Sequence, residues 1–390
     1  MKIKYFSILF IFSILQISYA QNKEASSILY LLPLQINAEE KDFTDYNSEY
    51  DIYADPQFQM LDFWKGAQIA LQEYENQDAQ LNIIVRDVYM DKHKIQSIFS
   101  DTQLMQDVKL IIGPFFASDF AEAAQYAKQL EIPIVNPFSS RTDFLDNNNF
   151  VYKVKPSQNA IPQAIHQYFL TDDDYNLILW YDENYLSKEG QNYIDYFTQN
   201  NIPFQKITTS TNFTTFCQKF SSNHKDIVIA LFDEESLVLN QMRLFSNYIN
   251  PAAEDANFIP TVDSNIVLIF PYKWLSHPLL DIDFYKLNNL YFFTDAFVDN
   301  EDENTLNFQL KYTQQFSSYP NIETFAYQGY DITKYFIGAV LGKFIHSKNA
   351  QKFLTVSRYS FSKTKNGGYE NDAVRLIHIQ DIKYQEIKKE

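Results

Sequence analysis

A single cysteine in 390 residues excludes an internal disulfide framework, a cysteine-built zinc site and a cysteine-held iron–sulfur cluster. Eight glycines leave few positions for glycine-built phosphate loops. The chain has no Walker loop, no G-x-G-x-x-G run and no G-x-S-x-G nucleophile elbow. His93, His166, His224, His277, His346 and His378 are scattered, without HExxH or paired-His spacing for zinc. Basic charge is scarce: 32 Lys and Arg against 49 Asp and Glu give a formal charge of −17, which makes nucleic acid and anionic membrane surfaces poor partners. Past the first twenty residues no stretch approaches ~18 uninterrupted apolar residues, so no membrane insertion is expected. These absences point away from an enzyme and predict no catalytic set, no metal site and no cofactor.

What is present is a globular balance of 46% hydrophobic and 21% charged residues, long enough for two domains at roughly 150 residues each. Aromatics reach 17%, but Phe, Tyr, Ile, Asn and Lys share AT-rich codons. Each aromatic is therefore not read as a stacking residue. The first twenty residues read as a secretory signal peptide. Lys2 and Lys4 form a positive start, Tyr5 to Ile17 an apolar run too short to span a bilayer, and Ser18-Tyr19-Ala20 a small-residue cleavage site. No cysteine lies at that site, so a lipid anchor is not expected. With the two lysines removed the formal charge falls from −17 to −19, and the location expected is periplasmic or secreted.

From Ser27 onward short apolar runs alternate with amphipathic ones. Ile28–Pro33, Asn82–Asp87, Val108–Pro114 and Ile132–Pro137 read as strands. Helical spacing at Phe63, Ala67, Ala70, Leu71 and Tyr74, at Ile95–Met105 and at Phe120–Leu130 separates them. The alternation resumes after Pro156 with helix Ala160–Phe169, strand Asn176–Tyr181, helix Leu186–Thr198 and a strand near Phe204–Thr208. A short helix Phe213–Phe220, strand Ile227–Phe232 and helix Glu235–Tyr248 follow. Asn250–Ser264 reads as a polar insertion. Strands Ile266–Phe270 and Leu290–Thr294, helices Thr305–Phe316 and Tyr327–Ile345, and strands Ala373–Ile379 and Lys383–Ile387 complete the chain. Strands apolar throughout and separated by helices mean parallel sheets covered on both faces. The fold class expected is therefore α/β, as two doubly wound parallel-sheet lobes with a break near Lys155-Pro156.

The order of several motifs resembles the type I periplasmic binding proteins, of the leucine/isoleucine/valine-binding and receptor ligand-binding kind. Leu32-Pro33-Leu34 is followed by Trp64-Lys65-Gly66-Ala67-Gln68-Ile69-Ala70-Leu71, similar to that family's "GA-x-x-A" helix. Ile111-Ile112-Gly113-Pro114 with Ser118 is similar to its "IIGP…S" segment, and Ile132-Pro133-Ile134-Val135-Asn136-Pro137 to its "IP-x-I-x-P" strand. Pro156-Ser157 matches the crossing into the second lobe, and Tyr330-Asp331 the "YDA" of a late helix. The resemblance implies two lobes joined by crossovers around an inter-lobe ligand cleft. Residues 27–155 plus 296–350 are expected in the first lobe, and 156–295 plus 351–390 in the second.

Ligands in open α/β sheets bind beyond the carboxyl ends of strands, where helix N-termini supply N–H donors. Two first-lobe loops fit that place, Phe115–Ser118 and Phe138-Ser139-Ser140-Arg141. The resemblance implies carboxylate capture there by hydroxyl and backbone N–H groups, which singles out Ser118 and Ser140, with Ser139 beside them. Phe138 would narrow the pocket and Arg141 would offer a bidentate clamp. Ser118 or Asp119 fits a helix cap equally well, and Arg141 an ordinary ion pair. In the second lobe the resemblance implies an aromatic wall at Tyr185 and a cation-binding carboxylate at Asp233. Asp233-Glu234-Glu235-Ser236 also reads as an acidic first helical turn. Where the family places its amine-binding acid, this chain has Phe270-Pro271-Tyr272. Cys217, among Phe213, Phe216 and Phe220, reads as a core thiol, and Asp172-Asp173-Asp174 as a solvated turn. The function expected is a secreted solute-binding protein closing its lobes over a small polar ligand such as an amino acid, with a membrane permease of an ABC importer as partner. The alternative is an interaction or regulatory module of the cell envelope that has kept the fold and lost the solute.

Overall fold

Seven residues from Ser26 to Leu32 form β1, apolar on both faces because helices cover both sides of the sheet they enter. The computed structural model describes residues 26–34, 56–77, 79–88, 91–171, 174–221, 224–249, 265–277, 289–321, 324–342, 350–380 and 383–388. The signal-like segment 1–20, the insertion 250–264, Asp172 and Asp173 lie outside them.

After β1 come α1 (Pro56–Glu75), β2 (Leu81–Asp87), α2 (Lys92–Ser100), β3 (Val108–Ile112), α3 (Ala117–Leu130), β4 (Ile134–Asn136) and β5 (Val151–Lys153). The helix expected over Ile95–Met105 breaks at Asp101. Its carboxylate takes the Leu104 N–H at 3.0 Å and starts a separate turn, Thr102–Met105. The chain then crosses over through residues 154–159 to α4 (Ala160–Phe169), β6 (Tyr175–Tyr181), α5 (Gln191–Gln199), β7 (Gln205–Thr208), β8 (Lys225–Leu231), α6 (Glu235–Ile249), β9 (Ile266–Ile269) and β10 (Leu290–Thr294). It returns through residues 295–302 to α7 (Glu303–Phe316), α8 (Phe325–Val340), β11 (Phe361–Lys363) and β12 (Tyr369–Asn371). A third crossing at 372–374 leads to β13 (Arg375–Gln380) and β14 (Lys383–Ile387).

Two seven-stranded sheets result, ordered β11-β12-β5-β4-β3-β1-β2 and β14-β13-β10-β9-β8-β6-β7. Within each, the first five strands of the lobe run parallel in the order 2-1-3-4-5, the doubly wound arrangement with its switch point beside the first strand. The tail divides otherwise than expected. β12 pairs parallel with β5 of the first sheet, and β11 pairs antiparallel with β12. Residues 361–371 therefore belong to the first lobe's sheet, and only β13 and β14 join the second. The pairing follows from an Asn366-Gly367 turn, with Gly367 at φ +153°, that folds the polar strand β11 back on β12.

The first lobe is held by the crossing of α1 and α8, where two glycines let backbones touch. A methyl group on Gly66 would lie 1.7 Å from the Ala326 carbonyl oxygen, and one on Gly329 would lie 2.0 Å from that of Phe63. Eleven of the sixteen α8 residues are buried, among them Thr333, whose hydroxyl meets the Tyr30 hydroxyl at 2.9 Å. Each sheet thus has an apolar layer on both faces, which fixes where its strand ends, and hence its loops, come to the surface.

Candidate functional site

The carboxyl ends of the second sheet's strands face the three crossovers, and the space between them is a crevice of about 530 Å³. Its floor is apolar, built from Ile229, Ile269, Phe270 and Phe293 at the ends of β8, β9 and β10. Every crossover reaches it: Lys155 and Ser157 from the first, Asp295 from the second and Val374 from the third. Gln158, Glu189, Asn192, Tyr193 and Lys273 add polar groups around the rim.

Among the residues singled out from the sequence, Ser140, Tyr185 and Tyr272 come together in this crevice. Tyr185 is placed by Asp182, whose carboxylate accepts the N–H groups of Asn184 and Tyr185 at 2.9 and 3.3 Å. Burial first, then Tyr193, Glu189 and Asp233, push its phenol well above the usual value. Burial does the same to Tyr193, so both hydroxyls stay protonated across the physiological range. Tyr272 opens a single 3₁₀ turn, Tyr272–Ser276, anchored where the Trp274 indole N–H donates to the Phe232 carbonyl at 2.7 Å.

Asp233 is already paired. Lys273 donates to its carboxylate at 3.0 Å and to Glu189 at 3.2 Å. Burial pulls the Lys273 ammonium down, but hydrogen bonds to Asp233 and Glu189 outweigh it and the net shift is upward. The neighbouring Glu234 caps α6, accepting from Ser236 N–H, Ser236 Oγ and Leu237 N–H at 3.2, 2.7 and 2.9 Å, which is the acidic-turn reading of that segment.

The first-lobe loops are arranged otherwise than the carboxylate-capture expectation requires. Ser118 sits in the first turn of α3, where it borders a shallow depression with Lys92, Glu122 and Tyr126 away from the crevice. Its hydroxyl approaches Asp119 at 3.4 Å. It is not the cap either, because the helix begins one residue earlier, at Ala117. The Ser139 N–H donates to Asn136 Oδ1 at 2.7 Å, and the Ser139 hydroxyl accepts the Arg141 N–H at 3.2 Å. The Arg141 guanidinium forms a bidentate pair with Asp143 at 2.9 and 2.6 Å. Phe138 turns inward, edge-on to Phe63, Phe115 and Phe325 with ring centroids 5.2–5.7 Å apart. The Ser139 N–H, the Arg141 N–H and the Arg141 guanidinium are thus taken up within the loop, and aromatic rings fill the space behind it.

Sequence reasoning missed Lys155, Gln158, Glu189, Asn192, Tyr193, Lys273 and Asp295. The Pro156-Ser157 motif marked the first crossover and was the one signal within reach of Lys155 and Gln158. Cys217 packs half-buried against the second-lobe core, and burial pushes its thiol up to about 11. Among the described residues no cluster of three or more His, Cys, Asp or Glu has metal-holding geometry, and no described helix is long and apolar enough to cross a membrane.

No family profile matches the sequence, and comparison with curated proteins finds no relative. Solved structures do match. A Rhodospirillum rubrum protein provisionally described as a branched-chain amino acid ABC transporter is 11% identical with a TM-score of 0.61, over 93% of this chain and 100% of that one. The C-domain of LpoA from Haemophilus influenzae, a regulator of PBP1A, is 12% identical with a TM-score of 0.57, over 93% and 100%. A branched chain amino acid ABC transporter periplasmic ligand-binding protein from Burkholderia xenovorans is 12% identical with a TM-score of 0.54, over 93% and 94%. The fold is that of the type I periplasmic binding proteins, two α/β lobes with a crevice at the crossovers.

Proposed function

Proceeding from that shared fold, we propose that the chain is a non-enzymatic binding protein that takes a small polar solute in the crevice. The observation that carries this reading is the convergence of all three crossovers on one cavity. A solute there touches the parts of the chain that set the angle between the lobes. Lys155 and Asp295 offer opposite charges at the crossover end, the protonated phenols of Tyr185 and Tyr193 offer donors, and the apolar floor excludes water. Closure of the lobes is then a population shift, driven by contacts made only in the closed state. The leader-like segment 1–20 supports a periplasmic or secreted location, and delivery of the solute to a membrane permease is the role this reading assigns.

Thermal denaturation against a panel of amino acids, dipeptides, sugars and nucleosides tests it. A true ligand at 100 times its Kd stabilises by about 2.7 kcal/mol. Asp295→Asn and Lys155→Met should remove that shift, and Ser140→Ala should reduce binding by about 1–3 kcal/mol if its hydroxyl is buried against the solute. A panel without a single hit overturns the reading.

One observation favours a second reading, an interaction module of the cell envelope. The first-lobe wall that would complete a solute site is packed with Phe115 and Phe138, and the Ser139 and Arg141 donors beside them are bonded within their own loop. Capture of a defined envelope protein by the purified chain, combined with an empty solute panel, would support it.

A further inference from the structure

Two arginines reach between the lobes in opposite directions. Arg375 opens β13 of the second sheet, directly after the third crossover, and its Nη1 donates to the Val356 carbonyl at 2.8 Å. Arg358 lies two residues past Val356, and its Nη2 donates to Glu386 Oε2 on β14 at 3.0 Å. Segment 354–360 belongs to the first lobe, where Leu354 packs with Ile332 and Val356 with Tyr327 and Tyr330. The buried Asp331 carboxylate of α8 accepts the Thr355, Val356 and Ser357 N–H groups at 2.7, 3.0 and 2.9 Å. On the other side of Arg358, Asn371 of β12 accepts the Ser360 N–H at 2.7 Å and donates to the Arg358 carbonyl at 3.1 Å. The Arg358 backbone is therefore fixed to the first lobe from both sides, while its side chain ends on the second.

Among ion pairs between described residues, Arg358–Glu386 passes from one lobe to the other, and every other pair stays within a lobe. Charge neutrality does not call for it. Glu386 and Arg375 already form a complete bidentate pair, Nε to Oε1 at 3.0 Å and Nη2 to Oε2 at 2.9 Å. Arg358 adds a second guanidinium to an oxygen already engaged, against the repulsion of two like charges. What this third member supplies is a fixed position of one lobe against the other, where relative motion is otherwise the default. All three side chains are at least partly buried, so salt screens them little. None of them lines the crevice.

We propose that Arg358 and Glu386 form a charged clasp that sets the resting angle between the lobes, with Arg375 holding Glu386 in place. A change of angle moves Arg358, carried by the first lobe, relative to Glu386, carried by the second, and so works against this pair. Loss of Arg358 frees the angle and leaves the Arg375–Glu386 pair whole inside the second lobe. Loss of the Glu386 charge goes further: Arg358 and Arg375 then face each other uncompensated, and the lobes are pushed apart at this point. The clasp stands outside the crevice lining and needs no solute.

Spin labels at exposed positions on α2 and α5, as Gln96→Cys and Gln199→Cys in a Cys217→Ala background of the full chain, report the distance between lobes by double electron–electron resonance. The parent should give one narrow distribution. Arg358→Met should shift or widen it by more than the parental width, and Glu386→Gln should displace it further. Combining Arg358→Met with Glu386→Gln should undo part of that displacement, because the facing cations are gone; mere loss of stability would add to it. Arg358→Gln is the second variant if Arg358→Met does not melt cooperatively. A parental distribution in a cooperatively melting Arg358 variant, or a double variant displaced further than Glu386→Gln, overturns the clasp and leaves the solute-binding reading standing. The expected shifts with an empty solute panel uphold the clasp and overturn that reading.

Discussion

Replacing Glu386 by Gln removes one carboxylate from between two guanidinium groups, and the cost can be worked from the geometry. Arg375 donates Nε and Nη2 to the Glu386 oxygens at 3.0 and 2.9 Å, and Arg358 Nη2 donates to Oε2 at 3.0 Å. The Arg375 side chain is 1% exposed and that of Glu386 13%. Breaking a buried pair by deleting one partner costs about 3–5 kcal/mol, because the other charge is left uncompensated. Arg375 keeps its bonds to the Phe297 and Val356 carbonyls, so the lower end, about 3 kcal/mol, is expected. At roughly 2–4 °C per kcal/mol for a domain of this size, Tm should fall by about 6–12 °C at neutral pH. Burial pushes the Glu386 carboxyl up, but the Arg375 hydrogen bonds and the charges of Arg375 and Arg358 outweigh it and hold it below its ordinary 4.5. The unfolded chain therefore binds this proton more readily than the folded one. The stabilisation is complete above 4.5 and is lost as pH falls through the folded-state value. Circular-dichroism melts of parent and Glu386→Gln should differ fully at neutral pH and converge once the pH falls below the folded-state value. A Tm within about 2 °C of the parent at neutral pH, or a gap that persists undiminished in acid, refutes the reasoning.

The remaining predictions are shorter. Gly329→Ala forces a methyl against the Phe63 carbonyl oxygen; with backbone on both sides the cost should reach about 3 kcal/mol, read as a lower Tm, and an unchanged Tm would show that α1 and α8 can separate. Cys217, with its thiol raised to about 11, should react with a disulfide reagent at mild alkaline pH on the order of 100 times more slowly than a free cysteine. Labelling at the free-thiol rate would contradict its packing among Phe213, Phe216 and Phe220.

Much of the architecture was legible because buried parallel strands are written as uninterrupted apolar runs. β1, β3, β6, β8, β9 and β10 stand within two residues of where those runs place them. β5, β11 and β12 were not, for a physical reason. Val151–Lys153 is only three residues long and ends in a buried lysine. β11 and β12 lie at the sheet margin, where polar side chains are tolerated and the hydrophobic signal fades. The Asn366-Gly367 turn between them was the available cue. The site was legible in outline, since Ser140, Tyr185 and Tyr272 follow strand ends, where doubly wound folds place ligands. Ser118, Phe138, Ser139, Arg141 and Asp233 do not line the crevice; the sequence does not show that Arg141 pairs with Asp143, that Asp233 pairs with Lys273, or that Phe138 packs among Phe63, Phe115 and Phe325. Lys155 and Asp295 are 140 positions apart, and nothing local to either tells of the other.

The last strands of the chain carry a consequence for how the molecule comes into being. β11 and β12 complete the margin of one sheet, and β13 and β14 that of the other. Neither half can therefore be finished until residues 361–387 have emerged from the ribosome. During synthesis both must wait with a raw edge, and a protein truncated ahead of this stretch would have two unfinished halves instead of one sound and one damaged.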